Sequence, residues 1–446
     1  MSVAVSQTND WAAAYARRDS KTAPAWLTAL RREAWERFGL LGMPHVRLED
    51  WRFTNPAPIT QAVFVDAGAI APQTASGLPA IPAFGSWDRI EVALVGGRYD
   101  ASLAHVPALP GGAWVGGLAS ALANPVLADG IARTLGRIAQ WQERAFVALN
   151  TALIEDGVLI HVAPGVTLET VVRVSYAAPR GGEGPVASHP RVLVIADRGS
   201  RVVVVEDFRA SQAAGDLVNP VIEFDVREGA TVEHVSLLGD VPGSLHTGAA
   251  FARIGAGARF ASRSIALGGR LTRRDVHVTF AGEGAEIDLD GLYVCAGDDL
   301  VDHHTVADHA VPRCTSRELF KGVLAGRSRA VFNGAVIIRP DAQQSDARQQ
   351  NQNLLLSEDA MINTKPELQI FADDVKCAHG ATVGQLDDDA LFYLRARGID
   401  PQAARAMLTH AFARSVVDRV SPPALRAEID AVVEARMESL AAGATS

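Results

Sequence analysis

The middle of the chain alternates short β-branched runs with turns that contain glycine. Between about residues 145 and 384 the runs are six to eight residues long, and few stretches between them have helical spacing. Short runs of this kind bounded by turn residues predict strands, and the scarcity of helices argues against a β-α-β arrangement. The predicted strand segments include GVLIHV, RVLVIA, RVVVVEDF, PVIEFDV, TVEHVSL, DVHVTF and AVIIRP.

The turns recur along this region. The forms APGVT, DRGSR, REGAT, GAGAR, GEGAE and LAGRS follow one another in steps of 34, 30, 28, 27 and 42 residues, measured between Gly165, Gly199, Gly229, Gly257, Gly284 and Gly326. A quasi-repeat of about thirty residues is typical of a β-solenoid, in which a coil buries its inner face only by stacking on its neighbours. An antiparallel sandwich is the alternative, but roughly ten or more short strands over ~240 residues favour the solenoid.

The first part of the chain has helical and then irregular patterning. APAWLTALRREAWERFG carries apolar residues at helical spacing, with Pro24 near the start and Gly39 as the predicted end of the helix. The segment MPHVRLEDWRFTNP follows, with aromatic side chains and proline boundaries. The stretch from Pro56 to Gly85, rich in Pro, Gly and Ala, is predicted to be a loop or linker.

The last part, from about Leu386, returns to helical patterning. Three helices are predicted: one ending at Gly398, one with Asp400 as N-cap and Pro401 at its first position, and one with Ser421 as N-cap. The second is predicted to bury Ala404, Met407, Leu408, Ala411, Phe412, Ser415 and Val416, and the third Leu425, Ile429, Val432, Val433, Arg436, Met437 and Leu440. Packing on the end of the solenoid and docking of a partner are both compatible with these amphipathic stripes.

Composition narrows the class of protein. The 446 residues are 48% apolar and 21% charged, with a formal net charge of −9, which argues against non-specific nucleic-acid binding. The three cysteines are too few for a disulfide framework and suit a reducing compartment. No secretory signal and no apolar run of about eighteen residues is evident, so we expect a soluble cytoplasmic protein without a membrane span.

Familiar catalytic motifs are absent from the sequence. It contains no P-loop, no G-x-G-x-x-G that follows a strand and opens a helix, no H-E-x-x-H and no G-x-S-x-G. We therefore expect that the chain binds no nucleotide of its own, and a familiar hydrolase or dehydrogenase is disfavoured.

A dense polar cluster lies in DDLVDHHTVADHAVPRCTSRELFKG. Its candidate ligands are Asp302, His303, His304, Asp308, His309 and Cys314. These residue types bind zinc or iron, but a strand directs neighbouring side chains to opposite faces, so His303 and His304 could not both face one metal. Hydrogen bonding at a coil corner and a metal or interface role both remain open.

A second candidate lies in DVKCAHGATVGQLD, at the end of the β-like region. If this stretch is a strand, Val375, Cys377, His379 and Ala381 share one face. On an inward face, Cys377 is an ordinary small core residue. A neighbouring His379 could instead lower the pKa of the thiol, or both side chains could bind iron or sulfide.

The segment KPELQIFADDVKCAHGATVGQLDDDALFYLRARGI resembles the signature of the SufD branch of the SufB/SufD family, which serves iron–sulfur cluster assembly in the SUF system. The resemblance extends to NQNLLLSEDA, SRELFKGVL, VFNG and RLEDWRFTNP. SufB-like chains carry a cysteine where this chain has Asn353, and a glutamate where it has Gly380. Both departures favour the SufD branch over a SufB-like subunit with its own assembly cysteine.

The resemblance implies a mainly β fold, namely a right-handed parallel β-helix flanked by helical regions. It divides the chain into an N-terminal helical region and linker (1–85), a β-helix core (86–385) and a C-terminal helical domain (386–446). It also implies a complex with SufB, paired through the β-helix, and with the SufC ATPase, docked on the C-terminal helices; a homodimer is a further possibility.

The resemblance assigns roles to residues as well. His379, with Cys377 beside it, would hold a transient iron–sulfur cluster at the SufB interface. The residues expected to dock the ATPase are Phe392, Tyr393, Leu394, Arg395, Arg397 and Gly398. The chain would then be a scaffold and no enzyme. The rival function is a β-helix enzyme that acts on carbohydrate with Asp302, His303 and Asp308 as acid and base groups.

Overall fold

The middle of the chain winds into a parallel β-solenoid of about seven turns. The computed structural model describes residues 11–18, 23–71, 84–179, 184–209, 213–239, 241 and 243–443. Within these residues the strands are β1 (Val65–Asp66), β2 (Arg89–Val95), β3 (Arg98–Tyr99), β4 (Ala113–Gly117), β5 (Val158–Val162), β6 (Val171–Ala177), β7 (Val186–Ser188), β8 (Arg191–Ala196), β9 (Arg201–Asp207), β10 (Leu217–Val218), β11 (Val221–Val226), β12 (Thr231–Leu238), β13 (Leu245–Ile254), β14 (Arg259–Ala266), β15 (Leu271–Phe280), β16 (Glu286–Cys295), β17 (Leu300–His309), β18 (Thr315–Leu324), β19 (Arg329–Ile338), β20 (Asp346–Leu355), β21 (Met361–Ile370) and β22 (Lys376–Gly384).

Each coil contributes one strand to each of two sheets. Sheet A runs in the order β4-β5-β8-β11-β13-β15-β17-β19-β21, with β1, β7 and β10 beside this path, and sheet B runs β3-β2-β6-β9-β12-β14-β16-β18-β20-β22. From β5 onward in sheet A and from β2 onward in sheet B, the neighbouring strands of these paths are parallel. The prediction of a mainly β solenoid is confirmed.

Left-handed backbone at one corner explains the spacing of the turns. Gly165, Gly199, Gly229, Gly257 and Gly284 lie where the chain passes from sheet A to sheet B, and each has φ between 60° and 73°. Successive corners are joined by hydrogen bonds, as from the Gly199 amide to the Glu228 carbonyl at 2.9 Å. A side chain is disfavoured at such φ values, which is why glycine marks these coils.

The next two corners of this series carry no glycine. Arg313 (φ 59°) and Gln344 (φ 61°) occupy the equivalent left-handed positions. Gly326 belongs instead to the opposite corner, where the chain passes from sheet B to sheet A, and lies against Gly297 of the preceding coil. The 42-residue step from Gly284 to Gly326 therefore joins two different kinds of corner. The coil length stays near thirty residues to the end.

Helices cover the outer faces of both sheets. The α-helices are α1 (Trp11–Arg18), α2 (Ala25–Leu41), α3 (Ala57–Thr60), α4 (Leu118–Leu122), α5 (Pro125–Thr134), α6 (Ala145–Ala152), α7 (Asp388–Ala396), α8 (Pro401–Val417) and α9 (Pro423–Gly443). Helices α2, α4, α5 and α6 share an apolar cluster with the outer face of sheet A. None of the helices in the described ranges is long and apolar enough to cross a membrane.

Two N-terminal predictions need correction. Helix α2 continues past Gly39 and ends at Leu41, because the left-handed C-cap is Gly42, with φ of 65°. The stretch predicted as linker from Pro56 to Gly85 contains α3 and β1, and Ile59 and Phe64 are buried there. Residues 72–83 of that stretch lie outside the described residues. The division of the chain at 85 and 385 stays a prediction; α4, α5 and α6 fall within its β-helix range.

The C-terminal helices α8 and α9 pack on the outer face of sheet B, and not on the end of the solenoid. Their apolar side chains share one cluster with β9, β12, β14, β16 and β18. Polar contacts fix them there: Arg419 reaches Asp290 at 3.1 Å, and Arg436 reaches Asp299 at 2.7 Å. The hairpin therefore leaves the last coil of the solenoid uncovered.

The predicted helix starts and stripes had mixed outcomes. Asp400 caps α8 as predicted, accepting hydrogen bonds from two backbone amides, whereas α9 begins at Pro423 and Ser421 lies outside it. The α9 stripe is confirmed at Leu425, Ile429, Val433, Met437 and Leu440. The α8 stripe is confirmed only at Ala404 and Val416, since Met407 and Ala411 are exposed and the other buried residues are Thr409, Ala413 and Val417.

Candidate functional site

The solenoid ends in two strands whose outer edges are open. Strand β22 pairs with β20 along one edge, and β21 pairs with β19. Within the described ranges no strand lies along the other edge of either one. Open edges of this kind present unpaired backbone amides and carbonyls, which another chain can satisfy.

The strand register defines the face on which the candidate residues lie. Cys377 is opposite Ala347, and His379 is opposite Gln349. Ala347 and Gln349 are both buried inside the solenoid, so Cys377 and His379 point along the same inner face. The described part of the chain adds no further coil, and His379 is exposed while Cys377 is half-buried. The shared face predicted from alternation is thus the inner face of an uncovered last coil.

Cys377 has the environment of a partly buried core residue. It packs against the main apolar cluster of the solenoid. Burial raises the pKa of its thiol, and the nearby Asp346 carboxylate adds to the effect. The neutral thiol is therefore favoured at neutral pH, and the structure does not show the lowered thiol pKa that a Cys–His pair would produce.

His379 is held only by its backbone. Among the described residues, no hydrogen bond to its ring is formed. The set of His, Cys, Asp and Glu side chains in the described ranges contains no group of three or more placed to hold a metal ion. Two donors, Cys377 and His379, thus stand together at the end of the solenoid, and iron bound there would take its remaining ligands from outside these residues.

A polar layer lies inside the last coils, beneath these two residues. Gln349 Nε2 donates to Glu318 Oε2 at 3.1 Å, and Thr305 Oγ1 donates to the same oxygen at 2.8 Å. Burial raises the pKa of Glu318 to about 7. Asn353, which stands where SufB-like chains carry cysteine, accepts from the Tyr293 hydroxyl at 2.5 Å and donates to Asn351 at 2.7 Å. Here Asn353 is part of a buried hydrogen-bond network.

The cluster predicted around His303 is divided between two faces of β17. Asp302 and His304 lie on the outer face, where Asp302 accepts from Thr54 at 2.6 Å and contacts His304 at 3.0 Å. His303 lies inside and contacts Ser264 at 2.9 Å, and burial lowers its pKa to about 4. Asp308 pairs with Arg339 at 2.6 Å. These residues do not converge on one metal, and the acid and base groups of the carbohydrate-enzyme hypothesis do not share a cleft.

The N-terminal motif RLEDWRFTNP braces the outer face of sheet A. The Arg273 guanidinium lies over the Trp51 ring at 4.2 Å and donates to Asp302 at 3.0 Å. A cleft of about 330 Å³ lies beside this contact. Within it, Asp275 pairs with Arg144 at 3.1 Å and with Arg273 at 2.9 Å. This motif therefore has a structural role in holding the N-terminal region on sheet A, which the sequence alone did not indicate.

The residues predicted to dock a partner lie on α7 and the turn after it. Helix α7 buries none of its residues, and Phe392 and Tyr393 are 71% and 57% exposed. Arg397 lies over the Tyr393 ring at 4.4 Å, and Gly398 ends the helix with φ of 85°. Asp387 caps the helix through the amides of Asp389 and Ala390. The helix is well formed and still presents two aromatic rings to solvent.

Comparison with known proteins gives a consistent result over most of the chain. Residues 179–412 match the family described as SUF system FeS cluster assembly, SufBD core domain, and residues 10–174 match the SufBD protein N-terminal region. An iron–sulfur cluster assembly SufBD family protein of Synechocystis is 29% identical over 429 residues, which is 94% of this chain and 92% of the relative. The iron–sulfur cluster assembly protein SufD of Escherichia coli is 28% identical over 404 residues, 89% and 90% of the two chains. A SufBD family protein of Mycobacterium tuberculosis is 31% identical over 303 residues, 66% and 73% of the two chains.

Proposed function

This chain belongs to the SufBD family of iron–sulfur cluster assembly proteins, and we propose that it is the SufD-type scaffold subunit of such a system. It performs no catalytic step itself. It pairs through the open end of the solenoid with a SufB-type subunit, and a SufC-type ATPase docks on its C-terminal helices. The nascent iron–sulfur cluster is the cargo of this complex, which works in the cytoplasm.

The observation that carries this proposal is the arrangement at the open end. Two donors, His379 and Cys377, lie on the inner face of the last strand, beside backbone groups that pair with no strand in the described ranges. Exposed apolar side chains lie on the same two strand segments, with Val383 on β22 50% exposed and Phe371, directly after β21, 62% exposed. A partner that pairs with the edge would cover these side chains and bring further ligands to His379.

A SufB-type partner fits this end better than a second copy of the same chain. Two copies would bring together only His379 and Cys377 from each side, whereas SufB-like chains carry an additional glutamate at the position of Gly380. A heteromeric junction thus brings to this end a carboxylate that this chain lacks, carried on the strand face opposite to that of the histidine, and iron accepts nitrogen, sulfur and oxygen ligands. The homodimer is an alternative outcome of the test below.

The first test concerns the open end. Replacing both Phe371 and Val383 with aspartate should weaken binding of the SufB-type subunit by roughly 30-fold or more, because an interface residue worth about 2 kcal/mol changes affinity by that factor. Binding is measured by titration calorimetry with the purified subunits. Leu40→Asp is the matched control, since Leu40 is also an exposed apolar residue but lies on α2. Unchanged affinity of the double variant would contradict pairing through this end, and self-association lost only in that variant would favour the homodimer.

The second test concerns helix α7. Tyr393→Asp should lower the affinity for the SufC-type ATPase by roughly tenfold or more, since exposed aromatic residues often dominate interface energies. It should leave binding of the SufB-type subunit unchanged, because α7 is separate from the open strands. Val126→Asp, at another exposed apolar residue on α5, should change neither affinity. Equal binding of the ATPase by Tyr393→Asp and by the unmodified chain would place the docking surface elsewhere.

A further inference from the structure

The side chain beneath His379 on the inner face belongs to Gln349. The two residues are direct register neighbours on β22 and β20, and adjacent strands lie about 4.8 Å apart. Gln349 is buried at 1% exposure, and Glu318, on the next strand inward, is buried at 4%. Going inward from the open end, the side chains in register are therefore the imidazole of His379, the amide of Gln349 and the carboxyl group of Glu318.

The ionised carboxylate of Glu318 orients the amide of Gln349. Its Nε2 donates to Glu318 Oε2 at 3.1 Å, and that oxygen also accepts from Thr305. Gly334 lies against the amide, and a Cβ at that position would meet both Gln349 Nε2 and the Phe332 ring. Because Glu318 Oε2 accepts the hydrogen bond from the amide nitrogen, the amide oxygen remains available to accept a bond from another donor.

That oxygen is without a hydrogen-bond partner in the part of the chain that the structure describes. Gln349 Oε1 is buried, and no donor reaches it among the described residues. A buried acceptor without a partner costs free energy comparable to a lost hydrogen bond, so such atoms call for a donor. The residue of β22 in register with Gln349 is His379, and its imidazole ring carries an N–H.

We propose that Gln349, oriented by Glu318 and Thr305, is a positioning residue that accepts a hydrogen bond from one ring nitrogen of His379 when a partner covers the open end. A neutral imidazole has one N–H and one free nitrogen, so this bond determines which nitrogen is left to bind iron. Histidine ligands of metals usually donate their second nitrogen to such an acceptor. This inference depends on the proposed function for one point only, namely that the cargo bound by His379 is an iron–sulfur cluster.

The test uses the chain with His379 labelled with ¹⁵N, alone and in the complex with its SufB-type partner. In Gln349→Met, which keeps the length of the side chain and removes the amide, the ¹⁵N shifts of the His379 ring should move toward those of an imidazole that exchanges between tautomers. Cluster formation, followed by visible absorption after addition of ferrous iron and sulfide, should fall roughly 10- to 100-fold, the usual cost of losing a second-shell partner. The complex should still assemble.

A matched control and a second variant keep the test decisive. Tyr293→Phe removes a buried hydrogen bond from the same coils, but one directed to Asn353, which is in register with Val383, and it should leave the His379 shifts unchanged. Glu318→Gln keeps the side-chain shape and frees the Gln349 amide to turn, so it should give two His379 tautomers. His379 shifts in the complex that are identical in Gln349→Met and the unmodified chain would overturn the inference. The His379→Ala variant tests the iron-binding role separately. If it assembles clusters normally while the His379 shifts still change in Gln349→Met, the hydrogen bond is supported and the iron-binding role of His379 is wrong.

Discussion

Replacing His379 with alanine is expected to lower cluster formation by the assembled complex by roughly tenfold or more, because losing even a second-shell partner of a metal ligand costs about 10- to 100-fold. The imidazole lies exposed on the inner face of β22, beside the open edge. Its ring forms no hydrogen bond with the described residues, so the fold and the binding of the SufB-type partner should persist after its removal. The complex would be reconstituted with ferrous iron and a sulfide source, and transfer of the cluster to an apo-protein would be measured.

Two variants on the same strand separate a ligand role from a general effect. Thr382→Ala changes an exposed side chain on the opposite face of β22 and should support normal assembly. Cys377→Ser should cause a partial loss, since its thiol is half-buried and its pKa is raised by burial. A His379→Ala complex that matures its target proteins at the normal rate would show that the assignment of this residue is wrong.

Replacing Glu206 with glutamine is expected to destabilise the protein by about 3–5 kcal/mol, because it leaves a buried guanidinium without its counter-charge. Glu206 and Arg274 are both fully buried inside the solenoid and lie 2.5 Å apart. Tyr176 and His234 also bond to this carboxylate, at 2.5 and 3.0 Å. Urea unfolding of the isolated chain, followed by circular dichroism, would measure the change.

The effect should depend on pH in a defined direction. Burial opposes ionisation of Glu206, but Arg274 and His234 outweigh it and lower the pKa to about 2. A carboxyl group whose pKa is lowered stabilises the fold above its unfolded pKa of about 4.3, and this stabilisation is lost as the pH falls from there toward about 2. The difference between Glu206→Gln and the unmodified chain should therefore be largest at neutral pH and shrink in acid.

An exposed ion pair provides the control. Asp298 and Arg327 lie 2.9 Å apart at the surface, with both side chains more than 70% exposed, and Asp298→Asn should leave the unfolding midpoint unchanged. The double variant Glu206→Leu with Arg274→Met should recover part of the lost stability, since it removes both charges. A midpoint for Glu206→Gln equal to that of Asp298→Asn would show that the buried pair does not stabilise the solenoid.

The buried charges were missed in the sequence, although a signal for them was present. In RVVVVEDF, Glu206 has the same parity as Val202 and Val204, which face inward, and Arg274 has the same parity as Val276 and Val278. Charged residues are ordinarily solvent-exposed, and only a closed coil turns that alternate face into an interior. The pairing of Glu206 with Arg274 joins positions 68 residues apart, which no local pattern connects.

The helical predictions show the same limit. The α9 stripe could be recognised because its large apolar residues lie on one side. Helix α8 is rich in alanine and has apolar residues on several sides, so the face that becomes buried depends on the sheet it contacts. Corners at Arg313 and Gln344 were missed because neither carries the glycine that marks the earlier coils.

The solenoid and the shared face of Cys377 and His379 could be predicted from the sequence, because strand periodicity and left-handed glycine corners are local properties of the backbone. What that face contacts depends on how the coils stack. The inner face of β22 is uncovered because it belongs to the last coil, and Gln349 lies beneath His379 because the length of one coil, about thirty residues, places them in register. Contacts between coils form only when neighbouring coils stack, so they join residues that no local sequence pattern connects.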